Sequence, residues 1–481
     1  MQAKKPFKRG DRVTLQIKEQ AFGGKGLARV ATDAGDYVVF VPDAIAGQEV
    51  ECQITRARAQ YAESKLLRVL KTSPQEQELP FCPIPGAPYL RLPLPEQETF
   101  KTRSVMELYR RIAALPQPEE LFEGFIASPR TFHYRNKMEY SFSAVAYDRK
   151  TDAMVDRFAL GFKKRGQWLA VESLAGDSGL FDAQWESFVP QVEQYFVARG
   201  HRAWHSRKHE GFCRLLAVRK SFREDALLIN FVSSSAERER FDASAFLAFL
   251  QAELGSRLGG LLHTISDDPS DRPDANRGEQ QLLYGRDHLE EELLGLRFKI
   301  SPASFFQTNP ASAEALYRQA IAYLQRETPP PEGVVLDLFS GTGTIAQLLA
   351  QALPSSEVIG VELIEAAVRD ARENARRNGI DNVRFIAADV KDFLAENRAY
   401  AGRIHSLVLD PPRAGIQPKA LQHLIALEAQ RIIYISCNPA TQARDFAVLA
   451  EADYHLKAFS LVDQFPHTAH IESVALLEQG N

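Results

Sequence analysis

Apolar and polar residues alternate with a period of two through residues 11–70, and the period then changes twice along the chain. Arg12-Val13-Thr14-Leu15-Gln16-Ile17 and Val50-Glu51-Cys52-Gln53-Ile54 put every second side chain on one face, the pattern of a half-buried strand. Residues 37–42 form an apolar run closed by Pro42, and Phe22-Gly23-Gly24-Lys25-Gly26 reads as a turn or bulge. No helix-period segment of useful length interrupts these strands. Their spacing predicts a small closed or partly closed β-barrel over residues 1–72.

Residues 72–96 are rich in proline and poor in pattern, which marks a boundary. Val105, Leu108, Ile112 and Leu115 recur at helical spacing and predict a helix over 97–115, free to pack on the last domain. Residues 125–295 mix strand-like runs, such as Lys137-Met138-Glu139-Tyr140-Ser141-Phe142, with helical ones, such as 241–254. The mixture predicts an α+β middle domain over 73–295. Within it the polar stretch 266–279, with Asp267, Asp268, Asp271 and Asp274, reads as a loop. From about 311 helices and strands alternate: a helix at 311–326, an apolar strand at 333–339, a helix at 344–352, a strand at 358–363 and a helix at 364–378. Further buried strands follow at 383–388, 404–409 and 431–435. Repeated βα units predict a doubly wound, mostly parallel sheet in a domain spanning 296–481.

Composition narrows the class. At 481 residues, 45% hydrophobic and 25% charged, the chain reads as several globular domains. No apolar run is long enough for a membrane helix, and the basic N-terminus lacks the apolar core of a signal peptide, so the expected compartment is the cytoplasm. The four cysteines, Cys52, Cys82, Cys213 and Cys437, are scattered with no C-x-x-C pair, which argues against a disulfide framework or an all-cysteine zinc site. Net charge is −4, so the chain as a whole is not a basic nucleic-acid binder. The start is locally basic, with Lys4, Lys5, Lys8, Arg9 and Arg12, a cluster able to attract phosphates or simply to be solvated.

In open α/β sheets ligands bind beyond the carboxyl ends of the strands. Asp337-Leu338-Phe339-Ser340-Gly341-Thr342-Gly343-Thr344 is a glycine turn at such an end, and the helix after it offers unpaired N–H groups. It lacks a P-loop lysine, which disfavours ATP hydrolysis. Glu362 ends the next strand, where a carboxylate accepts from both hydroxyls of a ribose or merely opens a helix. Asp389 is placed either to bind an adenine amino group or to cap a helix. Asp410-Pro411-Pro412-Arg413 is a proline-stiffened loop after the strand at 404–409. Cys437 ends the apolar run Ile432-Ile433-Tyr434-Ile435, flanked by Ser436 and Asn438-Pro439. An isolated cysteine there is usually inert core, but its place at a strand end beside Asp410 favours chemistry. Glu472 follows His470 by two residues, after the turn Phe465-Pro466-His467-Thr468 and just before the last buried strand, Ser473-Val474-Ala475-Leu476-Leu477.

As an ordered set, Phe305-Phe306-Gln307-Thr308-Asn309, Asp337 to Thr344, Asp410 to Arg413, Ser436 to Pro439 and Asp463 to Glu472 resemble the RNA uracil-5-methyltransferases. That family holds the RlmD-type ribosomal RNA enzymes and the TrmA-type transfer RNA enzymes. Residues 9–70 look like a TRAM domain, a small OB-like RNA-binding barrel. The resemblance implies a Rossmann-like class I methyltransferase domain behind the barrel and the α+β middle domain. It implies that Gln307, Phe339, Thr344, Glu362, Asp389 and Asp410 contact S-adenosyl-L-methionine. Cys437 would be the nucleophile that adds to uracil C6, and Glu472 the base. It also implies an RNA substrate, 23S ribosomal RNA ahead of transfer RNA because the short TrmA-type enzymes lack the barrel. Many RlmD-type members carry a four-cysteine iron–sulfur site. Here Cys82 remains, but Pro88, Arg91 and Leu174-Ala175 stand at the other positions, so no cluster is expected.

Tyr134-Arg135-Asn136-Lys137 and, more weakly, Lys163-Lys164-Arg165 offer cations beside aromatics and are expected at an RNA surface. A reading from another class is an RNA-binding or RNA-folding protein with a vestigial transferase site; intact Cys437 and Glu472 argue against it. A cytosine-5 enzyme also uses a cysteine, but its Pro-Cys arrangement occurs nowhere in the chain.

Overall fold

The structure, a computed structural model, describes residues 6–32, 35–270, 278–302, 304–327, 333–397 and 403–480. Lys4 and Lys5 of the basic cluster, and Asp271 and Asp274 of the polar stretch, lie outside the described residues.

Near the N-terminus six strands form one sheet, in the order Arg12–Gln16, Glu49–Ala57, Tyr61–Lys71, Gly35–Pro42, Lys25–Thr32, Glu19–Ala21. Three register shifts between Glu49–Ala57 and Tyr61–Lys71 bend it, as bulges do. It wraps around Leu15, Val39, Val41, Val50, Cys52 and Ile54, the inward members of the alternating runs. The middle of the chain builds a seven-stranded mixed sheet, from Val171–Ser173 at one edge to Glu279–Gly285 at the other. The helices Ala183–Ala198 and Ala243–Leu254 contribute to an aromatic-rich core shared with this sheet. Glu279, read from sequence as loop, opens the edge strand, where it pairs with Ile265.

Leu289–Leu293 and Leu296–Ile300 pair as a two-stranded sheet, and the remaining sheet has eight strands in the order Val383–Ala387, Glu357–Glu362, Val334–Leu338, Ile404–Leu409, Arg431–Ser436, Glu472–Gln479, Tyr454–Val462, Phe122–Ile126. The first five are parallel, and Glu472–Gln479 runs antiparallel to its two neighbours. Val335, Val408, Ile433 and Val474 supply one apolar core, and Leu336, Leu407, Ile432 and Ala475 the other, on the opposite face. Burial on both faces explains the unbroken apolar runs in the sequence. Strand order reverses on either side of Val334–Leu338, which places a ligand crevice over its carboxyl end. Among the described residues no helix is long and apolar enough to cross a membrane.

The first long helix runs Leu94–Arg111, and its buried stripe is not the one its spacing suggested. Ile112 is 40% exposed and Leu108 only half-buried, whereas Gln97, Phe100, Lys101, Val105, Met106 and Tyr109 are buried. The inward face meets polar loop backbone as well as the helix Pro439–Glu451, so it carries polar side chains that an apolar-period reading passes over.

Candidate active site

Three neighbouring strand ends build one wall of a cavity of about 1120 Å³. After Val334–Leu338 the chain turns through Phe339, Gly341 and Gly343, all at positive φ (68°, 53° and 76°). A Cβ on Gly343 would sit 2.6 Å from the Phe385 ring, so only glycine lets the turn lie this low over the next strands. Glu362 ends the adjacent strand and braces the turn. Its Oε2 accepts from the Gly341 amide at 3.0 Å and its Oε1 from the Ile364 amide at 2.9 Å. Asp389 caps the helix Val390–Glu396, with Oδ1 accepting from the Lys391 amide at 2.8 Å. Helix opening at Glu362 and capping at Asp389 are therefore both present, and both side chains also line the cavity.

Gln307, Phe339 and Asp410 line the same space, joined by Thr342, whereas Thr344 is buried at the start of its helix and is not part of the lining. Phe305, Leu363 and Ile364 stand exposed at the rim. The last two carry no motif signal; they were findable only as apolar residues that follow a strand end. Beneath the turn lies Asp337, fully buried, with neither carboxyl oxygen hydrogen-bonded among the described residues. Burial and the nearby Asp410 push its pKa well above the usual carboxylate range. Apolar walls and a rim rich in carboxylates suit a nucleoside that bears a positive charge.

The other wall comes from an antiparallel pair. Ser436 faces Ser473 in the ladder between Arg431–Ser436 and Glu472–Gln479, so Cys437, just past the first strand, emerges beside Glu472, which opens the second. Both line the cavity with Asp410 and Arg413. Asn438 caps the helix Pro439–Glu451 and ties it to the proline loop, its Nδ2 donating to the Arg413 carbonyl at 2.9 Å. Burial, then the carboxyls of Glu472 and Asp410, push the Cys437 thiol up to about 12, with Arg413 opposing them. Glu472 is raised well above its ordinary value by burial and then by Asp410. Burial alone takes Asp410 to about 7. His470 is pulled down to about 4 by burial and the cation of Arg413, so it is neutral and its Nδ1 accepts the Arg413 guanidinium hydrogen at 3.0 Å.

The cationic runs read from sequence divide. Arg135 lines the cavity, but Tyr134 is fully buried, with its hydroxyl donating to the Pro466 carbonyl at 3.0 Å. Asn136 is buried too, its Nδ2 donating to the Gln307 carbonyl at 2.9 Å, and Lys137 pairs with Glu139. Lys164 pairs with Glu172, and Arg165 donates to the Gly23 carbonyl at 2.9 Å, a link between the middle sheet and the barrel.

The cavity thus lies at the strand ends of a doubly wound sheet that shares the chain with a small β-barrel. Residues 275–480 match the tRNA (uracil-5-)-methyltransferase family model and residues 6–67 the TRAM domain. An uncharacterized RNA methyltransferase of Caldanaerobacter subterraneus subsp. tengcongensis is 35% identical over 98% of this chain and 99% of its own. Another, of Chlorobaculum tepidum, is 34% identical over 98% of this chain and 97% of its own. Among solved structures, the Pyrococcus abyssi tRNA (uracil-54, C5)-methyltransferase in complex with S-adenosyl-L-homocysteine superposes with a TM-score of 0.70. It is 23% identical and covers 97% of this chain and 100% of that one. The chain belongs to the RNA uracil-5-methyltransferase family, and its cofactor is S-adenosyl-L-methionine.

Proposed function

We propose that the protein methylates C5 of a uracil in RNA through a covalent bond between Cys437 and C6 of the base, with Glu472 removing the C5 proton. The register that sets Cys437 beside Glu472 on one nucleoside-sized cavity carries this reading. Uracil C5 is a weak nucleophile. When the Cys437 thiol gives up its proton to solvent and its sulfur bonds to C6, the C5–C6 π electron pair moves towards C5 and O4 as an enolate, and C5 becomes able to attack carbon. S-adenosyl-L-methionine supplies the methyl group that C5 takes. Glu472 then accepts the C5 proton, the C5–C6 double bond re-forms, and the C6–S bond breaks to return the thiolate. The raised pKa of Glu472 makes it a strong proton acceptor once ionised, and Arg413 favours the charged forms of both groups.

Gln307, Phe339, Thr344, Glu362, Asp389 and Asp410 are the residues proposed to hold the cofactor; all but Thr344 line the cavity. Glu362 suits the ribose hydroxyls and Asp389 the adenine amino group. Barrel, middle sheet and catalytic sheet are proposed as the three domains, with bounds near 72 and 295. The target base must leave its stack to reach the thiol. We propose 23S ribosomal RNA as the substrate. Transfer RNA is the alternative substrate, favoured by one observation: the Pyrococcus abyssi enzyme, named for uracil 54 of tRNA, covers 97% of this chain.

The test is incubation with S-adenosyl-L-methionine and RNA containing 5-fluorouracil. Fluorine at C5 cannot leave as a proton, so an SDS-stable adduct through Cys437 is expected. Methylation of ordinary RNA with no adduct on the fluorinated one would overturn the covalent route. Mapping 5-methyluridine in 23S and transfer RNA from cells lacking the protein decides the substrate.

A further inference from the structure

We infer that Gln97, Lys101 and Tyr109, a polar stripe on the helix Leu94–Arg111, are positioning residues for Glu472, gripping from a distant part of the chain the loop that presents it. The assignment rests on Glu472 being the base proposed for the reaction.

Residues 97, 101, 105 and 109 are spaced by four and share one face of the helix, and all are buried. An ammonium group is costly to bury without a partner. Lys101, whose side chain is 1% exposed, donates from Nζ to Asp463 Oδ1 at 2.7 Å and to the Phe465 carbonyl at 3.1 Å. Gln97 uses both ends of its amide. Its Nε2 donates to the Leu92 carbonyl at 2.7 Å and to His467 Nδ1 at 3.1 Å, while its Oε1 accepts from the His467 amide at 2.8 Å. The Tyr109 hydroxyl donates to Gln442 Oε1 at 2.6 Å and accepts from Ser473 Oγ at 2.7 Å.

These contacts fall on either side of Glu472. In the ladder Glu472 faces Val462, the last residue of Tyr454–Val462. Asp463, held by Lys101, follows Val462, and Ser473, held by Tyr109, follows Glu472. Residues 463–471 between them are the connection that Gln97 holds at His467. The barrel touches the same connection, since a Cβ on Gly24 would lie 2.7 Å from the Ala469 Cβ. The Glu472 side chain lacks such an anchor at Oε2, which is buried with no hydrogen-bond partner among the described residues. Its place therefore depends on its flanks, and the stripe is what pins them. An apolar helix face would hold the helix down as well. Only directed polar bonds fix where the flanking backbone stands.

The full-length Lys101→Met/Asp463→Asn double variant removes both charges and leaves no unpaired buried ion. S-adenosyl-L-homocysteine is expected to bind within about twofold of wild type, while 5-methyluridine release falls about tenfold or more and SDS-stable adduct accumulates. The probe is RNA extracted from cells lacking the protein. A variant that binds S-adenosyl-L-homocysteine normally and releases product within about twofold of wild type overturns the inference. Should the double variant not fold, Tyr109→Phe decides: a raised adduct-to-product ratio supports the stripe, and an unchanged ratio overturns it. Glu472→Gln is run beside both. If it accumulates no adduct, the base assignment fails and takes the stripe with it; if it does while the stripe variants match wild type, only the stripe fails.

Discussion

Cys437 and Glu472 open on to one cavity from neighbouring antiparallel strands, and the carboxyl, second only to burial, keeps the thiol protonated at a pKa of about 12. Below that value the thiolate fraction grows about tenfold per pH unit. Alkylation of Cys437 by iodoacetamide in the free protein is therefore expected to climb steadily between about pH 7 and 10. Peptide mass spectrometry reads it, and a plateau near neutral pH would contradict the burial of this thiol.

Cys437→Ala is expected to abolish methyl transfer and leave S-adenosyl-L-homocysteine affinity within about twofold of wild type, since the strand-end residues that form the opposite wall are untouched. Isothermal titration calorimetry and tritiated methyl incorporation check the two halves. Retained methylation removes the nucleophile assignment.

Glu472→Gln keeps the shape of the side chain and removes its basicity. Sulfur can still add to C6 and C5 can still take a methyl group, but the C5 proton has no acceptor. The expected product is an RNA–protein adduct that survives SDS gels; free, unmodified RNA with no adduct would remove the base role.

Asp410 holds its proton up to about pH 7, whereas an unfolded aspartate loses it near 3.8. The folded state binds the extra proton across that window, so this carboxyl lowers stability as pH rises through it, and the full penalty stands above about 7. Asp410→Asn removes the titration. Its melting temperature at pH 8 is expected to exceed that of wild type by about 2–4 °C, with the gap closing at acid pH. Calorimetry of the cofactor-free protein measures it, and equal melting at both pH values would contradict the shift.

Gly343→Ala places a methyl group 2.6 Å from the Phe385 ring at a φ of 76°. The turn must rise, at a cost of about 1–3 kcal/mol. Weakening of S-adenosyl-L-homocysteine binding by about tenfold or more is expected, read by calorimetry. Unchanged affinity would separate this turn from the cofactor.

Much of the site was legible because its residues terminate apolar runs. Glu362, Asp410 and Cys437 each end or follow a strand buried on both faces, and such strands announce themselves as runs of valine, isoleucine and leucine, whereas Asp389 follows the edge strand Val383–Ala387, of which only Phe385 is fully buried. The glycine turn at the end of Val334–Leu338 was readable for the same reason, and in the structure Thr342 rather than Thr344 reaches the cavity. What escaped is polar and distant in sequence. Lys101 looks like any surface lysine in a helix, and nothing local reveals a partner at Asp463. Tyr134 sits in a basic run and reads as surface, yet the Pro466 carbonyl holds it inside. Period and motif report local chemistry, and the polar partners of these two residues lie in the connection 463–471, which arrives hundreds of positions later.

The edge strand Phe122–Ile126 lies parallel to Tyr454–Val462 and completes the catalytic sheet from before the middle sheet begins. During synthesis it leaves the ribosome long before its partner, so that margin of the sheet stays open until Tyr454–Val462 has emerged. A fragment cut at residue 296 would carry most of the lining of the strand-end cavity but expose the bare flank of Tyr454–Val462, a surface prone to stick to other chains. The large sheets read as modules, yet the last of them closes only when two segments hundreds of positions apart have met.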